Sequence, residues 1–222
     1  MILEVFDVEH GACALVTTGN GKHILIDCGD NTSTGWEPGT VLRKRGITSI
    51  ERLIVTNYDE DHVSGYRNLL ENVVIGGLQR NNRVNAATIR YLKTEDGIGA
   101  GIQTLTHTID HLFTGPTLPD NYFGDTTIRT FSNPYGTPPF GFDDENNLSL
   151  VVFLSCGEHR IIFPGDMEKA GWRRLLQDPE FVAMLSGVNI FVASHHGREN
   201  GYCEEVMKLC LACPDRVVRW AC

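Results

Sequence analysis

Short apolar runs alternate with polar punctuation along most of this chain, and they gather into two strand-rich stretches. Positions 2–8, 14–17 and 23–27 read as strands of the first, with Gly19-Asn20-Gly21 as the hairpin turn between the last two. A short apolar strand at 52–56 ends in polar residues. The second stretch covers 127–131, 149–154 and 160–163, with Cys156-Gly157-Glu158 as another hairpin signal. One more strand, 189–193, is apolar after its first residue. Apolar residues at helical spacing predict helices over 39–46, 63–71, 86–93, 102–113, 169–176 and 203–211. Positions 84–123 carry little strand signal and read as a helical insertion. Pro134, Gly136, Pro138 and Pro139 make 133–147 a loop. No internal repeat or low-complexity tract is visible. Two strand-rich halves separated by helices predict an α/β sandwich of two sheets covered by helices, in a single domain over 1–222.

Composition narrows the class. The 222 residues are 41% hydrophobic and 21% charged, ordinary for a globular chain and enough to bury a sizeable core. No apolar run approaches the ~18 residues of a membrane span. Acids at positions 4 and 7, without a basic n-region, argue against a signal peptide. The net charge of −9 argues against sequence-blind nucleic-acid binding through a broad basic surface.

Seven scattered cysteines and no secretory signal suggest a reducing, cytoplasmic setting. Cys13, Cys28 and Cys156 lie in or beside apolar stretches, where a thiol packs as a small hydrophobe. Cys210 and Cys213 form a CxxC without the second pair that a zinc knuckle needs. It reads as a helix end with two thiols, or as a redox pair.

The informative segment is Thr56-Asn57-Tyr58-Asp59-Glu60-Asp61-His62, directly after a buried strand. Asp59, Asp61 and His62 crowd three potential ligands into four residues, and adjacent carboxylates repel unless a cation sits among them. Two later strands end the same way: 160–163 runs into Pro164-Gly165-Asp166, and 189–193 into Ser194-His195-His196-Gly197. Each alone reads equally as a turn or a solvated loop. Three such strand ends in one chain point to a metal site.

These segments, with Phe6-Asp7-Val8-Glu9-His10-Gly11-Ala12, Ile24-Leu25-Ile26-Asp27-Cys28-Gly29 and Asn146-Asn147-Leu148-Ser149-Leu150-Val151, occur in a family's order. The chain resembles the metallo-β-lactamase-fold hydrolases and, among them, the ComEC-type DNA-uptake branch. The resemblance implies a four-layer αββα sandwich of two mixed sheets flanked by helices. It implies Asp61 and His62 as ligands of a second metal, Asp166 as the bridging carboxylate and His196 as the last histidine ligand, with His195 as the alternative. Asp59 stands where many members have histidine and the ComEC-like branch has aspartate. Asp59 and Asp61 are the candidate catalytic carboxylates, and Asp27 is expected to orient the metal loop from behind.

Three departures stand out. Asn57 occupies the place of the family's first histidine, and an amide oxygen is a neutral, weaker donor. The mid-chain histidine is missing, with Asn146 or Asn147 in its region as possible ligands or supports. The chain also ends 26 residues after His196, short of the family's final strand and loop, an ending that is either native or truncated.

The implied chemistry is hydrolysis by a hydroxide held on one or two divalent ions. An oxygen-rich ligand set leans toward manganese, with zinc in play and magnesium possible, and toward phosphate esters of small-molecule, nucleotide or nucleic-acid type. Lactone, thioester or β-lactam hydrolysis, or a metal-poor partner protein that retains the fold, are the alternatives. Tyr58 and Arg198 are candidate substrate contacts, as are Arg80 and Arg83. Each also reads as an ordinary packed or solvated residue. His107 and His111, four apart on a predicted helix, mark a helix face near the cleft. The 84–123 insertion is expected to border the active-site mouth.

Overall fold

The computed structural model describes residues 1–95, 97–113, 118–211 and 219–221. The chain divides into two compact units, Met1–Gly124 and Asp125–Cys222. Each is built on its own five-stranded mixed sheet with helices packed against it, so the architecture is α/β.

In the first unit the order along the chain is β1 (Ile2–Val5), β2 (Ala14–Thr17), β3 (His23–Ile26), α1 (Pro38–Lys44), β4 (Ser49–Ile50), β5 (Arg52–Ile54), α2 (Glu60–Val63), α3 (Tyr66–Asn72), β6 (Val74–Ile75), β7 (Leu78–Gln79), α4 (Ala86–Leu92) and α5 (Ala100–His111). Strands β1, β2 and β3 form an antiparallel meander, with Ala14 opposite Ile26. Strands β5 and β7 then add in parallel, with Ile24 opposite Arg52 and Leu53 opposite Leu78. Leu15, Ile24, Leu25, Leu53 and Ile54 are buried to within 1%. Each such side chain removed from water contributes about 1.5–3 kcal/mol. A two-stranded parallel pair, β4 and β6, lies apart from the main sheet.

The expected helix over 63–71 is two helices instead. The chain breaks at Ser64-Gly65, where a Cβ on Gly65 would stand 2.5 Å from the Pro38 ring and 2.8 Å from the Cys28 carbonyl. The expected strand over 2–8 stops at Val5. Between positions 84 and 123 the described residues include α4, α5 and a 3-10 turn at Asp120–Phe123.

The second unit runs β8 (Thr126–Ser132), β9 (Leu150–Cys156), β10 (His159–Phe163), α6 (Lys169–Leu175), α7 (Pro179–Leu185), β11 (Ile190–Val192), α8 (Glu204–Leu211) and β12 (Arg219–Ala221). Strands β8, β9 and β10 are again antiparallel, and β11 and β12 again parallel. Both sheets therefore repeat one pairing scheme, although the sequence carries no repeat. Helices α6, α7 and α8 bury Trp172, Phe181 and Val206 with Phe153 and Phe191 of the sheet. The rings of Phe153 and Phe181 meet edge to face at 5.6 Å. Helix α7 is not predicted by the pattern of positions, although Asp178 caps it by accepting from the amides of Glu180 and Phe181. Cys213 and Cys222 lie outside the described residues, as does Pro214-Asp215-Arg216-Val217-Val218. No helix among the described residues is long and apolar enough to cross a membrane.

Candidate functional site

In each unit the chemistry collects at the ends of the third and fourth strands of the sheet. In the first unit β3 runs directly into Asp27, which is 2% exposed and has a left-handed backbone with φ of +56°. An L-residue holds that conformation at a cost of about 1–2 kcal/mol, so the fold must impose it. The Asp27 carboxylate accepts from the backbone amide of Thr56 at 2.7 Å and from the Thr56 hydroxyl. Its Oδ2 also lies 3.0 Å from His62 Nδ1. With Nδ1 held by a carboxylate, the Nε2 lone pair is the one a metal would take.

The backbone of this loop is packed against two glycine segments. Cys28 donates its amide to the His62 carbonyl at 2.9 Å, and Ala12 donates to the Asp61 carbonyl at 3.3 Å. A Cβ on Gly11 or Gly29 would stand 2.4 or 2.3 Å from that Asp61 carbonyl oxygen. The Asp61 carboxylate and the His62 ring each offer a ligand atom within 4.8 Å of the other. The loop's remaining donors face other partners. Asn57, fully buried, uses its side-chain oxygen to accept the Asp59 amide at 2.8 Å, closing a turn on itself. The Asp59 carboxylate pairs with the ammonium of Lys93, which caps the C-terminal end of α4.

In the second unit β10 leads through Pro164-Gly165 to Asp166, also 2% exposed, whose amide donates to Ser149 Oγ at 3.1 Å. Strand β11 leads to Ser194-His195-His196. Both histidines adopt left-handed backbones, at φ of +49° and +52°, and Ser194 anchors the turn by donating to the Met167 carbonyl at 2.6 Å. His196 Nε2 lies 3.5 Å from Asp166 Oδ1, and His195 Nε2 lies 3.9 Å from Asp166 Oδ2. His195 Nδ1 stands 3.5 Å from Glu168, whose carboxylate accepts from Asn146 and Asn200. The two units thus share a motif: aspartate after the third strand, beside a histidine from the loop after the fourth.

Residues 6–80 match the family model of the metallo-beta-lactamase superfamily. The match covers 75 of the 222 residues and takes in Asp27, Asn57, Asp59, Asp61 and His62. Two mixed sheets flanked by helices are consistent with the metallo-β-lactamase fold. No curated protein matches the chain. Among solved structures it is similar to zinc-bound PqqB from Methylobacterium extorquens, at 13% identity over 82% of this chain and 58% of that one, with a TM-score of 0.45. A metallo-beta-lactamase from Cronobacter sakazakii with an HARLDQ motif shares 15% identity over 90% of this chain and 80% of its own, with a TM-score of 0.46. A diphosphatase of the PhnP family shares 13% identity over 82% and 58%, with a TM-score of 0.40. The chain therefore spans little more than half the length of PqqB or of the diphosphatase.

The other residues singled out in the sequence take the following places. Tyr58 is buried, and its hydroxyl donates to the Asn81 carbonyl at 2.9 Å; burial pushes the phenol up to about 12. Arg80 also donates to the Asn81 carbonyl, at 3.0 Å, while Arg83 is exposed. Asn147 is a structural brace: its oxygen accepts the Gly171 amide of α6 at 2.6 Å and its NH2 donates to Asp144. Arg198 is exposed, with one guanidinium nitrogen 3.3 Å from His195 Nε2. His107 and His111 lie on the exposed side of α5 with their rings 4.6 Å apart.

Two residues near the Asp59–His62 loop escape the sequence reading. Glu60 receives the amides of Gly101 and Ile102 at 2.7 and 3.0 Å, so it caps α5 from a position next to Asp61. Lys93 is the second. A lysine at a helix end normally complements the dipole from solvent, yet this one is only 4% exposed. Nothing local in the sequence marks either contact.

Proposed function

We propose that this chain is a metal-dependent hydrolase of the metallo-β-lactamase superfamily acting on phosphate esters, with Asp61 and His62 in the first unit and Asp166 and His196 in the second as its metal-ligand residues. The hydrogen bond between Asp27 and His62 carries this reading. A solvated acidic loop has no use for a histidine 1% exposed whose Nδ1 is claimed by an equally buried carboxylate, whereas a metal ligand needs that support. The left-handed backbones of Asp27, His195 and His196 favour it too, because such strain persists where function requires it.

A bound divalent ion supplies Lewis acidity and lowers the pKa of a coordinated water toward ~7. The chain's own residues do the rest. Asp27 fixes the His62 ring, and Asp61 and Asp166 contribute negative charge. Glu60 ties the metal loop to α5, so that α4 and α5 border the entrance and limit substrate size. Carboxylate-rich sites suit hard ions such as manganese or magnesium, and zinc where imidazole shares the site. Those ions favour phosphate oxygens, which ranks small phosphodiesters, nucleotides and phosphomonoesters ahead of lactones, thioesters and β-lactams. Kinship with the ComEC-type branch is part of the proposal and rests on Asp59, Asn146 and Asn147. A reducing, cytoplasmic compartment fits the buried free thiols.

The test is elemental analysis of protein purified without chelator, together with hydrolysis of bis(4-nitrophenyl) phosphate. Bound metal and turnover, both lost in Asp61→Asn and Asp166→Asn, are expected. Metal without phosphate-ester turnover would shift the substrate to lactones or thioesters. No metal after reconstitution with zinc and manganese would leave a partner protein that keeps the fold.

A further inference from the structure

The metal loop offers four side chains with donor atoms, and the first unit treats them as two unlike pairs. Asp61 and His62 form one pair, with the His62 ring oriented by Asp27. Asn57 and Asp59 form the other, and both are engaged by the chain itself. The Asn57 oxygen accepts the Asp59 amide, and the Asp59 carboxylate meets the Lys93 ammonium. The Lys93 side chain is 5% exposed and the Asp59 side chain 25% exposed. A lysine is seldom so deeply buried unless a carboxylate compensates its charge.

The placement of Lys93 is built rather than incidental. It caps α4, where its amide donates to the Ile89 carbonyl at 3.1 Å and its carbonyl accepts from Gly97 at 3.1 Å. Helix α4 packs on α5, and α5 is pinned to the loop through Glu60. Gly99 and Gly101 permit that approach, since a Cβ on either would stand about 2 Å from Glu60 or the Val63 carbonyl, at 2.1 and 2.2 Å. The ammonium thus reaches Asp59 from the end of α4, which packs on a helix anchored to the same loop.

A dication on Asp59 would share its carboxylate with a buried monocation. Like charges at that separation repel, and burial of the ammonium weakens the screening by water. Asn57 adds no negative charge to offset the repulsion. We propose that the Lys93 ammonium stands in for a first metal ion at the Asn57–Asp59 end of the loop, so that the chain takes one divalent ion rather than two. This rests on the reading of Asp61 and His62 as metal ligands. On this account Lys93 is a positioning residue: it neutralises Asp59 and limits the ion count, and the remaining ion serves the Asp61–His62 end.

The experiment is titration of metal-free full-length protein with Zn2+ and separately with Mn2+, followed by calorimetry and by elemental analysis after desalting. Wild type is expected to bind one ion, and Asp59→Asn to keep that ion. Lys93→Gln preserves a hydrogen-bonding group without the charge and is expected to bind a second ion at least about tenfold more tightly than wild type does, a 1.4 kcal/mol change. Lys93→Arg is expected to remain at one ion. Circular dichroism confirms folding, and Asp59→Asn tests the idea in a chain with Lys93 intact. Two ions of comparable affinity in wild type would overturn the role of Lys93 and leave the metal reading standing. Loss of the only ion in Asp59→Asn would do the same. No ion in wild type or in any variant would overturn the metal reading and this inference with it.

Discussion

His62 Nδ1 lies 3.0 Å from Asp27 Oδ2, a contact between two residues 35 apart in the chain, each exposed by 3% or less. The carboxylate selects the ring's tautomer and its direction at once. Asp27→Asn offers an amide of the same shape that can donate as well as accept, so the tautomer is no longer fixed. Metal affinity is expected to fall about 10–100-fold, read by competition with a chromophoric chelator. Urea unfolding of the metal-free variant should show a loss of only about 1–3 kcal/mol.

Gly29 faces the Asp61 carbonyl with no room for a methyl group. The obstacle is backbone on both sides, so Gly29→Ala must displace either the loop or the end of β3. A loss of about 1–3 kcal/mol is expected from overpacking, with a parallel loss of metal affinity. Gly46→Ala, where a Cβ would meet nothing, carries only the cost of its positive φ and should leave metal affinity unchanged.

The Tyr58 phenol gives a pH signature. Burial raises it to about 12, so the folded state keeps the proton where the unfolded chain, near 10, has lost it. Its contribution is complete below about pH 10 and disappears as pH rises through about 12. Tyr58→Phe should therefore destabilise by about 1 kcal/mol at pH 8, through the lost bond to Asn81. That difference from wild type should shrink above pH 10 and reverse its sign as pH approaches 12 in urea unfolding curves.

Arg52 is 1% exposed at the start of an otherwise apolar strand. Its guanidinium donates to Gln79 at 3.0 Å and to the Leu118 carbonyl, and lies 4.7 Å from the Phe123 ring centroid. Arg52→Met should destabilise by about 1–3 kcal/mol, since charge-assisted bonds to two half-buried acceptors are lost. Arg52→Lys should recover only part of that, because an ammonium cannot reproduce the planar fork. Chemical denaturation of the three proteins measures both effects.

What the sequence makes legible is the set of strand ends. Apolar runs at 14–17, 52–56 and 160–163 are local signals, and the polar residues that follow them announce where loops begin. The contacts that give those loops meaning are not local. Asp27 and Asn57 look alike as polar residues after a strand, yet one braces a histidine and the other folds back on its own loop. Lys93 has the sequence context of a solvated helix end, yet it is buried against Asp59. Helix α7 had a readable signal in Asp178-Pro179, followed by Phe181 and Leu185 one turn apart, and the break at Gly65 did not. The pairing scheme common to the two sheets leaves no trace as a repeat, because hydrogen-bond order depends on backbone and tolerates any apolar filling.

The buried thiols have a use that their packing alone does not suggest. Cys13 and Cys28 lie in the first unit, Cys203 and Cys210 in the second, and burial raises all four thiols above their ordinary range. A closed native chain therefore protects them from alkylation, and each becomes labelled only when its surroundings open. Timed labelling read by mass spectrometry makes them four clocks wound by the fold itself, able to show whether the halves of this molecule breathe together or apart.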